Sequence, residues 1–186
     1  GSVEDQTVLV TGGAGAVGYY GIQLAKWSGA KVISTVSGEE KGSVAREAGA
    51  DLVINYRDEN VTEVIQDFTN GVGVDRILEV EFGGNLEISK QIIKPNGTIA
   101  SYGSVALMEP TLPFYDLMFK GVKLNTYLIY IVPETDRNMI TNGINDALND
   151  QALNHMITES YELDDIVDAH LSMESNTVVG NIVINL

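Results

Sequence analysis

Gly13-Ala14-Gly15-Ala16-Val17-Gly18 has the spacing G-x-G-x-x-G and stands between an apolar, β-branched run, Thr7-Val8-Leu9-Val10-Thr11, and a segment of helical period. In that context each glycine has a physical task. The first permits a tight turn, the second lets the backbone approach a pyrophosphate, and the third lets helix and sheet pack closely. The start of the following helix presents unpaired N–H groups and a partial positive charge, so an anion is held without any basic side chain. A glycine-rich strand-to-helix turn can also exist without a ligand. The chemistry therefore depends on what surrounds it.

The end of the second β-branched run distinguishes between ligands. Domains that bind NAD usually carry Asp or Glu there, hydrogen-bonded to the adenosine ribose 2′-OH. Here the sequence reads Thr35-Val36-Ser37-Gly38, with no carboxylate. Glu39 and Glu40 come later and suit the first turn of a helix, where acids complement the macrodipole. Lys41 reads in two ways, as an exposed helix lysine or as a base for a 2′-phosphate. Tyr56 also has two readings, a tyrosine covering a strand end with its hydroxyl in water or a cofactor contact.

Other chemistries find little support. There is no cysteine, and the two histidines, His155 and His170, lie too far apart in sequence to suggest a compact metal cluster, so no metal ligand is assigned. No G-x-S-x-G elbow precedes a helix, which leaves a hydrolase triad unsupported. The 26 acidic residues outnumber the 11 basic ones, and the formal charge of −15 argues against nucleic acid as a partner. No apolar run reaches about 18 residues and no basic-then-apolar leader opens the sequence, so neither membrane nor export is expected and the location reads as cytoplasmic. Gly1-Ser2 reads as an expression scar.

Short apolar runs alternate with helical segments, the rhythm of an α/β doubly wound parallel sheet of Rossmann type. Strands are expected at Thr7 to Thr11, Lys31 to Val36, Leu52 to Asn55, Val74 to Glu79, Thr98 to Tyr102 and Leu124 to Tyr130. The helices between them are expected at Ala16 to Ser28, Glu39 to Ala48, Val61 to Phe68 and Leu86 to Ile93, with Pro95-Asn96-Gly97 as a turn. Residues 3–150 form the dinucleotide-binding domain in this reading, and its ligand crevice lies at the C-terminal ends of the strands. Residues 151–186 form an α+β tail that leaves the βα rhythm: a helix over about Thr135 to Leu148 leads into it, followed by an extended Met156 to Leu163, a helix over Asp164 to Met173 and a strand at Gly180 to Ile184.

Several further stretches extend the pattern: Val10-Thr11-Gly12, Gln23-Leu24-Ala25-Lys26, Gly29-Ala30-Lys31-Val32-Ile33, Glu40-Lys41, Ala48-Gly49-Ala50-Asp51, Val53-Ile54-Asn55-Tyr56 and the closing Ala169-His170 and Gly180-Asn181-Ile182-Val183. On these residues the sequence resembles the medium-chain dehydrogenase/reductases, and within them the zinc-independent quinone oxidoreductase branch that includes zeta-crystallin. The resemblance implies NADPH as cofactor, with Lys41 and Tyr56 on its 2′-phosphate and Ser37 bordering the same pocket. It implies that Gly13, Gly15, Ala16, Val17 and Gly18 hold the pyrophosphate. It further implies that Tyr102 and Gly103 run beside the ribose and nicotinamide and that the segment from Leu124 forms a homodimer edge.

The resemblance also implies that a separate catalytic domain surrounds the substrate in the full-length parent and that residues 151–186 help to complete it, so no catalytic residue is assigned here. Glu79-Val80-Glu81-Phe82-Gly83-Gly84 departs from the family, which usually has an aspartate before a small glycine-containing turn. The implied reaction is hydride transfer to a quinone or α,β-unsaturated carbonyl. Alternatives are the cofactor domain of a zinc alcohol dehydrogenase or of a polyketide enoyl reductase, and a non-catalytic nicotinamide-binding protein.

Overall fold

The computed structural model describes residues 2–175 and 178–186. Six parallel strands form one sheet in the order β3-β2-β1-β4-β5-β6, with β1 Thr7–Thr11, β2 Lys31–Val36, β3 Leu52–Asn55, β4 Val74–Glu79, β5 Ile93–Ser101 and β6 Lys123–Thr126. The chain winds outward from β1 to β3, crosses back to β4 beside β1, and then winds the other way. The strand order therefore reverses between β1 and β4, and a crevice opens at that switch point.

Side-chain alternation along the strands builds a core on each face. From β1, Val8 and Val10 point to one face, with Val32 and Val36 of β2, Tyr19 and Ile22 of α1 (Ala16–Trp27) and Ala45 of α2 (Glu39–Glu47). Leu9 points to the other, with Ile33, Ile54, Ile77 and Ile99, under α3 (Val61–Phe68) and α4 (Phe82–Ile92). All four isoleucines are fully buried. Each such side chain stabilises the fold by about 1.5–3 kcal/mol relative to exposure.

Three boundaries differ from the sequence reading by more than two residues. α4 starts at Phe82 rather than Leu86, because the Glu81 side chain accepts from the Gly84 N–H and caps a start that the two glycines disguise. β5 begins at Ile93 and carries Pro95-Asn96-Gly97 as an irregularity within the strand: Val74 pairs with Ile93, but Arg76 already pairs with Thr98, and Asn96 has φ +62°. β6 stops at Thr126, and Ile129–Ile131 is a 3-10 turn rather than more strand. A helix the sequence reading missed, α5 (Phe114–Lys120), joins β5 to β6 and ends on Gly121 in the left-handed conformation.

After α6 (Glu134–Asn149), β7 (Ile157–Glu162), α7 (Ile166–Glu174) and β8 (Asn181–Asn185) form a parallel two-stranded sheet of their own. The tail leaves the winding of the main sheet as expected and forms a β-α-β unit of its own. Helix α1 holds the stretch that leads into it. Trp27 donates its indole N–H to Asp150 (2.9 Å), Gln23 accepts from the Asn154 N–H (2.6 Å), and the Tyr20 hydroxyl lies 2.8 Å from His155 Nδ1.

Candidate cofactor site

The glycine turn is fixed by backbone bonds and by steric limits. Gly13 N–H donates to the Thr35 carbonyl (3.1 Å) and Gly15 N–H to the Gly12 carbonyl (3.0 Å), which ties the turn to the end of β2 and to itself. A Cβ on Gly18 would stand 2.3 Å from the Gly12 carbonyl oxygen, so the helix starts against the turn that precedes it. This changes the tasks expected of the glycines. The left-handed residue that makes the tight turn is Gly12, with φ +67°, and the third glycine of the motif is required by the turn's own backbone rather than by the sheet.

Gly15, Ala16 and Val17 are exposed in succession while Gly13 and Gly18 are buried. Gly15 is the N-cap of α1, and no side chain caps that end. The first helical N–H groups therefore lie at an exposed turn with no side-chain acceptor capping them, which suits an anion.

Ser37 and Tyr56 leave the sheet side by side, because Val36 of β2 registers with Asn55 of β3 and the Tyr56 N–H donates to the Val36 carbonyl (3.1 Å). Lys41 is the third residue of α2, and Glu39 and Glu40 do occupy its first turn. Glu39 is drawn to Arg46 (2.7 Å), whose guanidinium holds the Glu39 carboxyl below its usual range. Lys41 has no ion pair among the described residues, and Tyr56 is half exposed.

A cleft of about 510 Å³ opens at the switch point, lined by Gly12, Thr35, Tyr56, Glu79, Asn85 and Ala106 among others. At its floor Glu79 is fully buried. Its Oε1 accepts from the Thr11 hydroxyl (2.9 Å), the Glu81 N–H (2.8 Å) and the Asn85 amide (2.8 Å), while Oε2, also buried, has no partner among the described residues. Sequence reasoning noticed Glu79 only as a departure. The available signal was a carboxylate directly after the apolar pair Ile77-Leu78 at a strand end, which demands buried donors.

Tyr102 and Gly103 are placed elsewhere. They line a second pocket of about 360 Å³ at the ends of β5 and β6, with Phe82, Ser104, Thr126 and Tyr127. Burial, assisted by the negative charge of Glu79, pushes the Tyr102 phenol up to about 12, so it remains protonated at neutral pH. Gly103 has no room for a side chain, since a Cβ would lie 2.4 Å from the Val80 carbonyl oxygen.

Residues 16–144 match the family model described as zinc-binding dehydrogenase. The chain belongs to this family, within the medium-chain dehydrogenase/reductases, and corresponds to their cofactor-binding domain. It is 30% identical over 181 residues to a 2-haloacrylate reductase from Burkholderia, covering 95% of this chain and 54% of that protein. A crystal structure of 2-haloacrylate reductase superposes with a TM-score of 0.88 at 26% identity, covering 97% of this chain and 57% of the other. Escherichia coli quinone oxidoreductase, solved in complex with NADPH, gives 0.83 at 26% identity, covering 98% and 58%. The chain spans about half the length of the relatives it matches.

The residues of this chain do not fit the zinc in the family's name. There is no cysteine, and among the described residues no group of three or more His, Asp or Glu side chains converges on a common point. A dinucleotide does fit: the turn offers uncapped N–H groups, and Oε2 of Glu79 lacks a donor. No helix among the described residues is long and apolar enough to cross a membrane.

Proposed function

We propose that this chain is the NADPH-binding part of an oxidoreductase whose reaction transfers a hydride to a quinone or an α,β-unsaturated carbonyl. The observation that carries the reading is the exposed, uncapped start of α1 beside a β2 exit that has no carboxylate and a Lys41 with no ion pair among the described residues. Gly13, Gly15, Ala16, Val17 and Gly18 present the pyrophosphate site. Lys41, Tyr56 and Ser37 hold the 2′-phosphate, helped by the diversion of Glu39 to Arg46. Tyr102 and Gly103 border the ribose and nicotinamide. When bound, the nicotinamide supplies the hydride chemistry, and the protein's part is to orient it. The named relatives, a haloacrylate reductase and a quinone oxidoreductase, support the substrate class.

Catalytic residues are assigned to the remainder of the parent enzyme, so this chain alone binds the cofactor and turns over no quinone. The proposed assembly is a homodimer through the β6 edge and the exposed Tyr127 to Ile131 segment.

Calorimetric titration of NADPH and NADH tests the cofactor assignment. A charged hydrogen bond contributes about 1.5–3 kcal/mol, so Lys41→Ala weakens NADPH roughly ten-fold to a hundred-fold and leaves NADH nearly unchanged. Equal losses for both cofactors would make Lys41 a surface lysine and remove the basis for NADPH preference. Quinone reduction by the purified chain above a no-enzyme control would overturn the placement of the active site.

A further inference from the structure

The two pockets are separated by one loop, residues 103–108. Ala106 lines the dinucleotide cleft, while Gly103, Ser104 and Met108 line the smaller pocket at the ends of β5 and β6. Packing does little to hold this loop, since Val105 and Met108 are each 77% exposed. Polar bonds hold it instead. Oε2 of Glu81 accepts from the Val105 N–H (2.7 Å) and the Ala106 N–H (2.9 Å), and Oε1 accepts from the Leu107 N–H (3.4 Å) and from the Gly84 N–H (3.3 Å) at the start of α4. On the other side the Ser104 hydroxyl donates to the Leu107 carbonyl (2.6 Å) and accepts from the Gly83 N–H (2.9 Å). The fit at Gly83 is close, because a Cβ there would lie 2.2 Å from the Leu107 carbonyl oxygen.

One carboxylate thus joins three successive backbone amides of the β5 exit to the first turn of α4. We propose that Glu81 is a positioning residue for the dinucleotide: its carboxylate latches residues 105–107 in place beside the cleft, and cofactor affinity depends on that latch. The proposal rests on the reading of the cleft as the dinucleotide site. The chemistry requires an acceptor with no hydrogen of its own, because four N–H donors converge on two oxygens and a side-chain amide would turn its NH₂ toward some of them. The Ala106 amide foremost, with those of Val105, Gly84 and Leu107, holds the Glu81 carboxyl below its usual range despite the opposing effect of burial, so the acceptor form is the one present at neutral pH. With the loop already ordered, the ligand does not meet that entropic cost on binding.

The test compares the whole chain as wild type, Glu81→Gln and Glu81→Asp, with NADPH titration by calorimetry and amide hydrogen exchange on the free proteins. Glu81→Gln is expected to speed exchange at residues 105–107 by about ten-fold or more while β1 and β4 keep their protection. It is expected to weaken NADPH by about ten-fold. Glu81→Asp keeps a carboxylate and recovers part of that loss, which a role in mere space-filling would not produce. Binding of NADPH by Glu81→Gln within about two-fold of wild type overturns the proposal, as does an aspartate variant no better than glutamine. If Glu81→Gln does not fold, Ser104→Ala loosens the same loop from its other side, and unchanged NADPH affinity in that variant overturns the proposal equally. A wild-type chain that binds no dinucleotide removes the underlying reading, and this proposal with it; a wild type that binds beside a Glu81→Gln that binds equally well removes this proposal alone.

Discussion

The two flanks of the main sheet share a βα grammar but not its outcome. In β2 every residue after Lys31 is buried, with α1 and α2 over Val32 and Val36 and the opposite core over Ile33. On the β6 side no strand residue is buried, α5 buries only Leu117, and Phe119, Tyr130 and Ile131 are each at least three-quarters exposed. The exposed side carries the more apolar helix, since α5 reads FYDLMFK where α2 reads EEKGSVARE, so hydrophobicity alone does not distinguish a finished core from a surface that invites contact. The distinction lies in whether a second layer covers the strand.

The largest expected effect on cofactor binding comes from disturbing the finished flank where backbone meets backbone. Gly18→Ala puts a methyl group into the Gly12 carbonyl, and the turn must move. Overpacking of this kind costs about 1–3 kcal/mol, and the displaced N–H groups abolish measurable dinucleotide binding. Urea denaturation together with cofactor titration checks both; tight binding by this variant would show that the turn is not the anion site.

Ile33→Ala in β2 should lower stability by about 2–5 kcal/mol through the cavity it leaves. Tyr130→Ser, on the exposed flank, should stay within about 0.5 kcal/mol in dilute solution. The same Tyr130 change should shift the mass seen by light scattering toward monomer, and a wild type that is already monomeric at micromolar concentration would remove the proposed homodimer edge.

The smallest effect concerns pH. Burial raises the Asp51 carboxyl, but Lys26 at 2.8 Å and the Val32 N–H at 2.7 Å outweigh it and hold the group below its usual value. A carboxyl depressed in the folded state contributes stability above its unfolded pKa and loses that contribution as pH falls through the folded value. Both partners are about one-third exposed, so the contribution is kept below about 1 kcal/mol. Acid denaturation of wild type and Asp51→Asn should show the variant flatter across that range, and parallel curves would count against the ion pair.

Much of the finished flank was legible in the sequence, because its elements carry local signals. The β-branched runs gave the bounds of β1 to β4 as they stand, and the helical period of Val61 to Phe68 gave those of α3. On the other flank α5 escaped notice because its aromatic residues point largely outward and leave no helical stripe of buried positions. In the site, the glycine turn is a local motif and could be read. The roles of Glu79 and Glu81 could not, since Thr11 lies 68 residues from Glu79 and the 105–107 amides 24 to 26 residues from Glu81, and only the fold brings them together.

The strand order gives this separation a consequence in time. Thr11 closes β1, yet the carboxylate that receives its hydroxyl closes β4, and between them the chain must complete β2, β3 and three helices. The glycine turn can take its bonds to β2 as soon as that neighbour pairs, whereas the cleft beside it stays half-built until β4 arrives on the opposite side. During synthesis, a ribosome that has released only β1 to β3 presents the glycine turn without its cleft, and the cofactor capture proposed for this site waits for β4 to join β1.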